Sequence, residues 1–258
     1  MAKSIAIVTG ASSGLGREFV KLLNAEANVE EIWAVARNEE KLAALKADYP
    51  GKIRTFSEDL SKLSSVTDIE RVLKEETPNV AYLVNSAGYG KLVSYDGLDI
   101  AASVNMIDLN CSAVVAMGLA CLPYMQRGAH IINIASMASF QPLPYLNIYA
   151  ATKAFVRNYS RALNVELKSR GVSVTAVCPG WMKTAFIDRA QKGVKSFSAR
   201  FVGMTTPDCV AKKAFDDAKR GCDISVYGLF TKFCHLTAKL LPQRVMMQFF
   251  LMQQRIKN

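Results

Sequence analysis

The sequence predicts an α/β fold, a doubly wound parallel sheet with helices on both faces, built as one domain over residues 1–258. Three observations predict it: short β-branched runs alternate with helix-forming segments, half of the residues are hydrophobic, and a glycine-rich turn directly follows the first apolar run. Repeated strand–helix–strand units make the strands parallel, and right-handed crossovers place helices on both faces.

Strands are expected over 5–9, 32–36, 53–56, 80–84, 131–134 and 172–177, where Ile and Val cluster, and helices over 18–24, 39–48, 66–75, 104–124 and 150–169. A chain of this length suits one sizeable core better than two small ones. Neither an internal repeat nor a low-complexity linker marks a second domain, and Gly and Pro fall where elements should stop. Residues 181–201 lack clear periodicity and follow a strand ending in Pro179-Gly180, so a mobile substrate flap, extending to 205, is expected there.

Lys and Arg number 32 against 22 Asp and Glu, a net charge of +10 that attracts phosphate-bearing ligands or anionic membrane surfaces. No basic run interleaved with aromatics accompanies it, so nucleic-acid binding is not expected. The six cysteines form no C-x-x-C pair and the two histidines add little, which points to reduced thiols and no metal. The apolar stretch 5–8 is too short for a signal peptide, and the longest one, 114–125, contains Gly118 and Pro123 and falls short of the ~18 residues of a membrane span. A cytoplasmic protein is the expectation.

From residue 224 onward there are five basic residues and no acidic one. Leu229, Phe233, Leu236 and Leu240 form a helical stripe; Pro242 should interrupt it, and Val245, Phe249, Met252 and Ile256 repeat the spacing. Two readings stand: these amphipathic helices cover the sheet edge or a subunit interface, or they make peripheral contact with an anionic membrane.

The turn after the first strand reads Thr9-Gly10-Ala11-Ser12-Ser13-Gly14-Leu15-Gly16 and opens a helix. Its backbone N–H groups can meet a pyrophosphate that larger side chains would block. Tyr149 and Lys153 stand four apart at the start of the helix that runs to about Arg170, on one face. Ser136, thirteen residues before Tyr149, lies just past the strand over 131–134, at the same carboxyl edge of the sheet.

Together these motifs resemble the short-chain dehydrogenase/reductase family, a Rossmann-type fold, over roughly residues 3–186. The spacing Gly10-x3-Gly14-x-Gly16 and the pair Tyr149-x3-Lys153 match its signatures. The resemblance implies that Ser12, Ser13 and Leu15 join the glycines in binding the cofactor, and that Asp59-Leu60 meets its adenine side. Asn85, Ala87 and Gly88 match the family's N-N-A-G element, in which Ser86 replaces the second Asn; Ala135 stands where many members carry a second serine. Pro179, Gly180, Met182 and Thr184 resemble the element that holds the nicotinamide end. Asn110 matches a fourth catalytic residue, whose implied role is to hold a water linked to Lys153.

Cofactor choice is read at the end of the second strand, where an acid would bind the ribose 2′-hydroxyl of NAD. Ala36 occupies that place and Arg37 follows, a guanidinium able to pair with a 2′-phosphate, so NADP(H) is expected. In the implied reaction Tyr149 exchanges a proton with the substrate oxygen, Ser136 stabilises the charge, and Lys153 with the positive nicotinamide lowers the tyrosine pKa; a three-unit drop takes about 4 kcal/mol. Each residue alone has a plainer role, as core aromatic, solvated lysine, turn hydroxyl or helix cap; four at family spacing behind a glycine loop do not.

The substrate wall is expected from 137–146, with Met137, Phe140 and Tyr145, and from Trp181 and Phe186. These segments are largely apolar, which points to a hydrophobic carbonyl or alcohol: steroid-like, fatty-acyl or aromatic. A homodimer or homotetramer is expected. The competing reading is a catalytically silent NADP-binding regulatory or scaffold protein, which could lose Tyr149 without consequence.

Overall fold

A computed structural model describes residues 2–94, 96–191 and 200–254. Seven parallel strands form one sheet in the order β3-β2-β1-β4-β5-β6-β7: β1 Ser4–Thr9, β2 Glu31–Ala36, β3 Ile53–Ser57, β4 Asn79–Asn85, β5 His130–Ile134, β6 Ser173–Val177 and β7 Ile224–Ser225. β1 has β2 on one side and β4 on the other, with Thr9 opposite both Val35 and Asn85. The strand order reverses there, which opens a crevice at the carboxyl ends.

Ile5 to Val8 are fully buried, as expected of a strand covered on both faces. Ala6 and Val8 join one core with α1 (Gly14–Asn24), α2 (Glu39–Asp48) and α8 (Pro207–Lys219). Ile5 and Ile7 point the other way, into a core with α3 (Leu63–Glu76) and α5 (Ala113–Cys121). Asn38 starts α2 by accepting the Lys41 amide at 2.7 Å, a side-chain cap that the two acids of the first turn reinforce.

The six expected strands stand within one or two residues of their expected bounds. β7 and α8 were not anticipated, although Thr206-Pro207-Asp208 carries a readable start signal: Pro at the first helical position with an acid behind it. The single helix expected over 104–124 is a composite. It begins as α4 (Ile100–Ile107), capped by the Asp99 side chain on the Ala102 amide at 2.7 Å, passes through a π turn at Asp108–Ser112, continues as α5 and ends in a 3-10 turn at Leu122–Tyr124. This run, Ile100–Tyr124, is long and apolar enough to cross a membrane by composition; 56% of its most apolar window is buried, much of it against α3 and the sheet, as in a core helix.

α6 (Asn147–Glu166) follows the 3-10 turn Met137–Phe140. Part of the expected flap is ordered as α7 (Ala185–Gln191), and Met182 bridges Thr205 across its base; residues 192–199 lie outside the described residues. Pro242 separates α9 (Leu229–Leu240) from α10 (Gln243–Gln254) as expected, while Ile256 lies outside the described residues. All six cysteines are free thiols, and among the described residues no cluster of three His, Cys, Asp or Glu could hold a metal.

Candidate active site

The turn from β1 into α1 is shaped by its glycines. Gly10 and Gly14 have φ of +67° and +53°, and a Cβ on Gly16 would lie 2.4 Å from the Gly10 carbonyl oxygen, so these positions exclude side chains for different reasons. Gly10 is also pressed against the strand-end element, where its Cβ would meet the Ala87 amide nitrogen at 2.9 Å. Thr9 fixes that approach, its Oγ1 accepting the Ser86 and Ala87 amides at 3.0 and 3.1 Å. Ser13 makes no side-chain cap at the start of α1, which leaves the first-turn N–H groups facing the cavity for an anion.

One cavity of about 910 Å³ runs along the carboxyl edge of the sheet. Ser12, Ser13, Gly14 and Leu15 line it beside Gly10, as do Arg37, Asp59, Leu60, Ala87, Gly88, Pro179, Gly180, Met182 and Thr184. Asn38 and Lys41 join Arg37 at the far end. Arg37 lies 3.9 Å from Asp59 and is largely exposed, while Asp59 is held by the Ser61 hydroxyl at 2.9 Å. The residues present suit a dinucleotide: an open helix N-terminus for the pyrophosphate, and a cationic end formed by Arg37 and Lys41.

Two residues expected to touch the cofactor do not line the cavity. Gly16 packs beneath the loop, and Asn85 donates to Asn133 at 2.9 Å, which in turn donates to Ser160 at 2.9 Å. Asn85 thus ties β4 to β5, and β5 to α6.

At the other end, Ser136, Tyr149 and Lys153 converge. Ser136 caps the 3-10 turn by accepting the Ala138 amide at 3.1 Å, and Met137 is tied to the Pro179 carbonyl at 2.8 Å. Lys153, buried, donates to the Ile134 carbonyl at 2.7 Å and sits 5.8 Å from the centroid of the Tyr149 ring. Burial pushes the Tyr149 phenol up to about 12, against a hydrogen bond with Ser136 that pulls the other way. Burial brings the Lys153 ammonium down to about 8. Without cofactor, desolvation therefore outweighs the phenolate stabilisation expected from Lys153, and Tyr149 stands as a protonated donor.

Asn110 lies in the π turn, a local widening that recurs at functional sites. It is fully buried; its Oδ1 accepts the Tyr89 amide at 3.1 Å, and its Nδ2 donates to the Tyr89 carbonyl at 2.9 Å and to Thr152 Oγ1 at 3.1 Å. Both amide protons are used. The side chain therefore clamps the segment after β4 to α6, and Gly88 is glycine because its Cβ would fall 2.8 Å from Asn110 Oδ1. Gly90 serves the Tyr149 ring in the same way: its Cβ would lie 2.7 Å from Tyr149 Cδ2. Sequence reading missed Tyr89 and Gly90, and no local signal marks either.

Met137, Leu143, Leu146, Trp181 and Phe186 form an apolar wall, with the Phe186 ring 5.6 Å from that of Tyr149. Phe140 and Tyr145 do not line it. Phe140, at the end of the 3-10 turn, is buried and stacks on His235 at 4.5 Å, and Tyr145, at φ +63°, accepts the Val93 amide through its carbonyl at 2.9 Å. In their place come residues of α9 and α10, among them Phe230, Cys234, Thr237, Met246 and Phe250.

The profile of the short chain dehydrogenase family matches residues 4–195, most of the chain and all of this site's strand ends. The chain belongs to that family. An uncharacterized oxidoreductase of Staphylococcus epidermidis is 31% identical over 193 residues, 74% of this chain and 83% of the relative. A serine dehydrogenase solved in its closed form with NADP+ is 27% identical, with a TM-score of 0.73 over 88% of this chain and 95% of that one. A short-chain dehydrogenase from Sphingobium yanoikuyae, in complex with NADPH, shares the fold at a TM-score of 0.76, with 24% identity and 95% of each chain covered. This short-chain dehydrogenase is thus an oxidoreductase by kinship with these relatives.

Proposed function

We propose that this short-chain dehydrogenase is NADP(H)-dependent and interconverts a hydrophobic ketone and its alcohol, with Tyr149 as the acid and base. The observation that carries the reading is the convergence of Tyr149, Ser136 and Lys153 at one end of a cavity whose other end holds Arg37 and Lys41. A bound nicotinamide supplies or accepts the hydride. Tyr149 gives its phenolic proton to the substrate oxygen during reduction and takes one back during oxidation. Ser136 donates a hydrogen bond to the same oxygen, where negative charge develops. Lys153 holds a cation behind the phenol as its proton leaves, and Asn110 fixes the backbone on which this geometry rests.

The phosphate end supports NADP(H) over NAD(H). Arg37 and Lys41 present two cations where a 2′-phosphate would sit, and Ala36 presents no acid. Arg37→Asp is expected to weaken NADPH at least about tenfold relative to NADH, the loss of one charge-assisted contact. Titration of both cofactors by fluorescence checks this, and an unchanged ratio assigns the phosphate to Lys41 or the serines of the loop.

The apolar wall supports a lipophilic carbonyl, steroid-like, fatty-acyl or aromatic, over a sugar or a small acid. NADPH consumption followed by absorbance should be rapid with bulky hydrophobic ketones and absent with small hydroxy or keto acids. NADPH binding with no consumption across a broad panel would instead favour the silent, cofactor-sensing role. A homodimer or homotetramer belongs to the same reading: Val104 of α4 and Phe155 of α6, on helices packed against each other, expose 48% and 45% of their surface, apolar area for a second copy.

A further inference from the structure

The amphipathic hairpin α9–α10 presents two faces of different kind. Its inner face is fixed: His235 stacks on Phe140, Thr231 is buried against Gly180, and Gln254 exchanges hydrogen bonds with the Arg200 backbone at 2.8 and 3.0 Å. Its outer face is apolar and exposed among the described residues. Leu229, Phe233, Leu236 and Leu240 lie 56% to 88% exposed along α9, and Phe249 and Met252 continue the surface on α10. An apolar patch of this extent on one face calls for a partner.

Charge identifies that partner. Lys232 and Lys239, both exposed, flank the α9 stripe at helical offsets that let their stems lie along it with the ammonium groups raised, and Arg244 opens α10. No acidic residue occurs from residue 224 to the end of the sequence. A second copy of this chain would set the same cations against one another, whereas an anionic lipid surface pairs with them and takes the leucines among its acyl chains. We propose that α9–α10 docks on the surface of an anionic bilayer. Phe233 and Phe249 belong to both the exposed face and the cavity lining, so docking would turn the cavity mouth toward the lipid. The docking stands on this surface alone and does not depend on which reaction the site performs.

The test is flotation of the full chain with vesicles of phosphatidylcholine alone or mixed with phosphatidylglycerol, alongside Lys232→Gln/Lys239→Gln and Leu236→Glu/Leu240→Glu. None of these four residues lines the cavity, and retained NADPH binding reports that each variant is folded. The wild type should float with the anionic vesicles and progressively less as salt rises. The lysine pair should partition about thirtyfold more weakly, roughly fivefold per cation removed. The leucine pair should lose at least about a hundredfold. A wild type that stays at the bottom with both compositions, or floats equally with phosphatidylcholine alone, overturns the proposal. So does a sedimentation-velocity shift from dimer to monomer in the leucine variant without any change in flotation, which would make the face an interface between copies.

Discussion

Tyr149→Phe is expected to lower the kcat of ketone reduction by about a thousandfold, within the hundred- to ten-thousandfold range of a lost general acid, while NADPH still binds within about twofold. The asymmetry follows from where the hydroxyl sits. The ring is held by Gly90 beneath it and Phe186 beside it, contacts that phenylalanine keeps. Only the hydroxyl, shared with Ser136, is removed. Because burial already holds the phenol pKa near 12 in the ligand-free protein, the wild type carries its proton throughout the neutral range. Its loss should appear in kcat more than in KM. Steady-state kinetics with a hydrophobic ketone and a parallel NADPH titration check both halves. A variant that turns over at the wild-type rate would remove Tyr149 from the chemistry, and one that no longer binds NADPH would show a disturbed cavity.

The parts of this site legible in the sequence are those set by local spacing. The Gly10-x3-Gly14-x-Gly16 turn reports its own backbone needs, and a four-residue offset on a helix brings Tyr149 and Lys153 to one face without any tertiary knowledge. Long-range contacts leave no such trace. Gly90 touches the ring of a residue fifty-nine positions onward, and Phe250 of α10 packs with Leu92, Leu143 and Leu146 in one cluster. Neither could be found by periodicity. Phe140 was misplaced because the whole of 137–146 was read as one wall; the ring instead packs with Val114, Ala135, Val156 and Cys178 and stacks on His235, contacts that local spacing does not announce. The π turn at Asp108–Ser112 escaped for another reason: its polar residues Asp108, Asn110 and Ser112 interrupt the apolar run, but polarity at these positions does not say whether the backbone widens. The stripe on α9 was legible as a pattern but not as a surface, since a period of 3.6 does not say whether the apolar face meets protein or solvent.

Lys153 gives the second large effect, and it reads out in stability as well as in rate. Its folded pKa is depressed by burial to about 8 from an ordinary 10.5. Between those values the unfolded chain binds more protons than the folded one, so stability rises with pH across that window. Below pH 8 the folded protein carries the full cost of burying the ammonium, about 3 kcal/mol for a shift of this size. Tyr149 acts in the opposite sense. Its pKa is raised by burial to about 12 from 10.0, so its contribution is intact below pH 10 and fades above it. Lys153→Met keeps the length of the side chain and removes the titration. Urea unfolding of both proteins at pH 7 and pH 10 should show the wild type gaining about 2 kcal/mol or more relative to the variant at the higher pH. A flat difference would mean that Lys153 titrates normally, the ammonium being stabilised by groups other than the Ile134 carbonyl it meets. In catalysis the same substitution removes the cation behind Tyr149, and kcat should fall by about a hundredfold or more. On the proposed mechanism, a lysine balanced near pH 8 is suited to return a proton toward Tyr149 after each reduction. The stability curve and the pH dependence of kcat/KM, which reports the free enzyme, should therefore turn at the same pH in the wild type, and neither feature should remain in Lys153→Met.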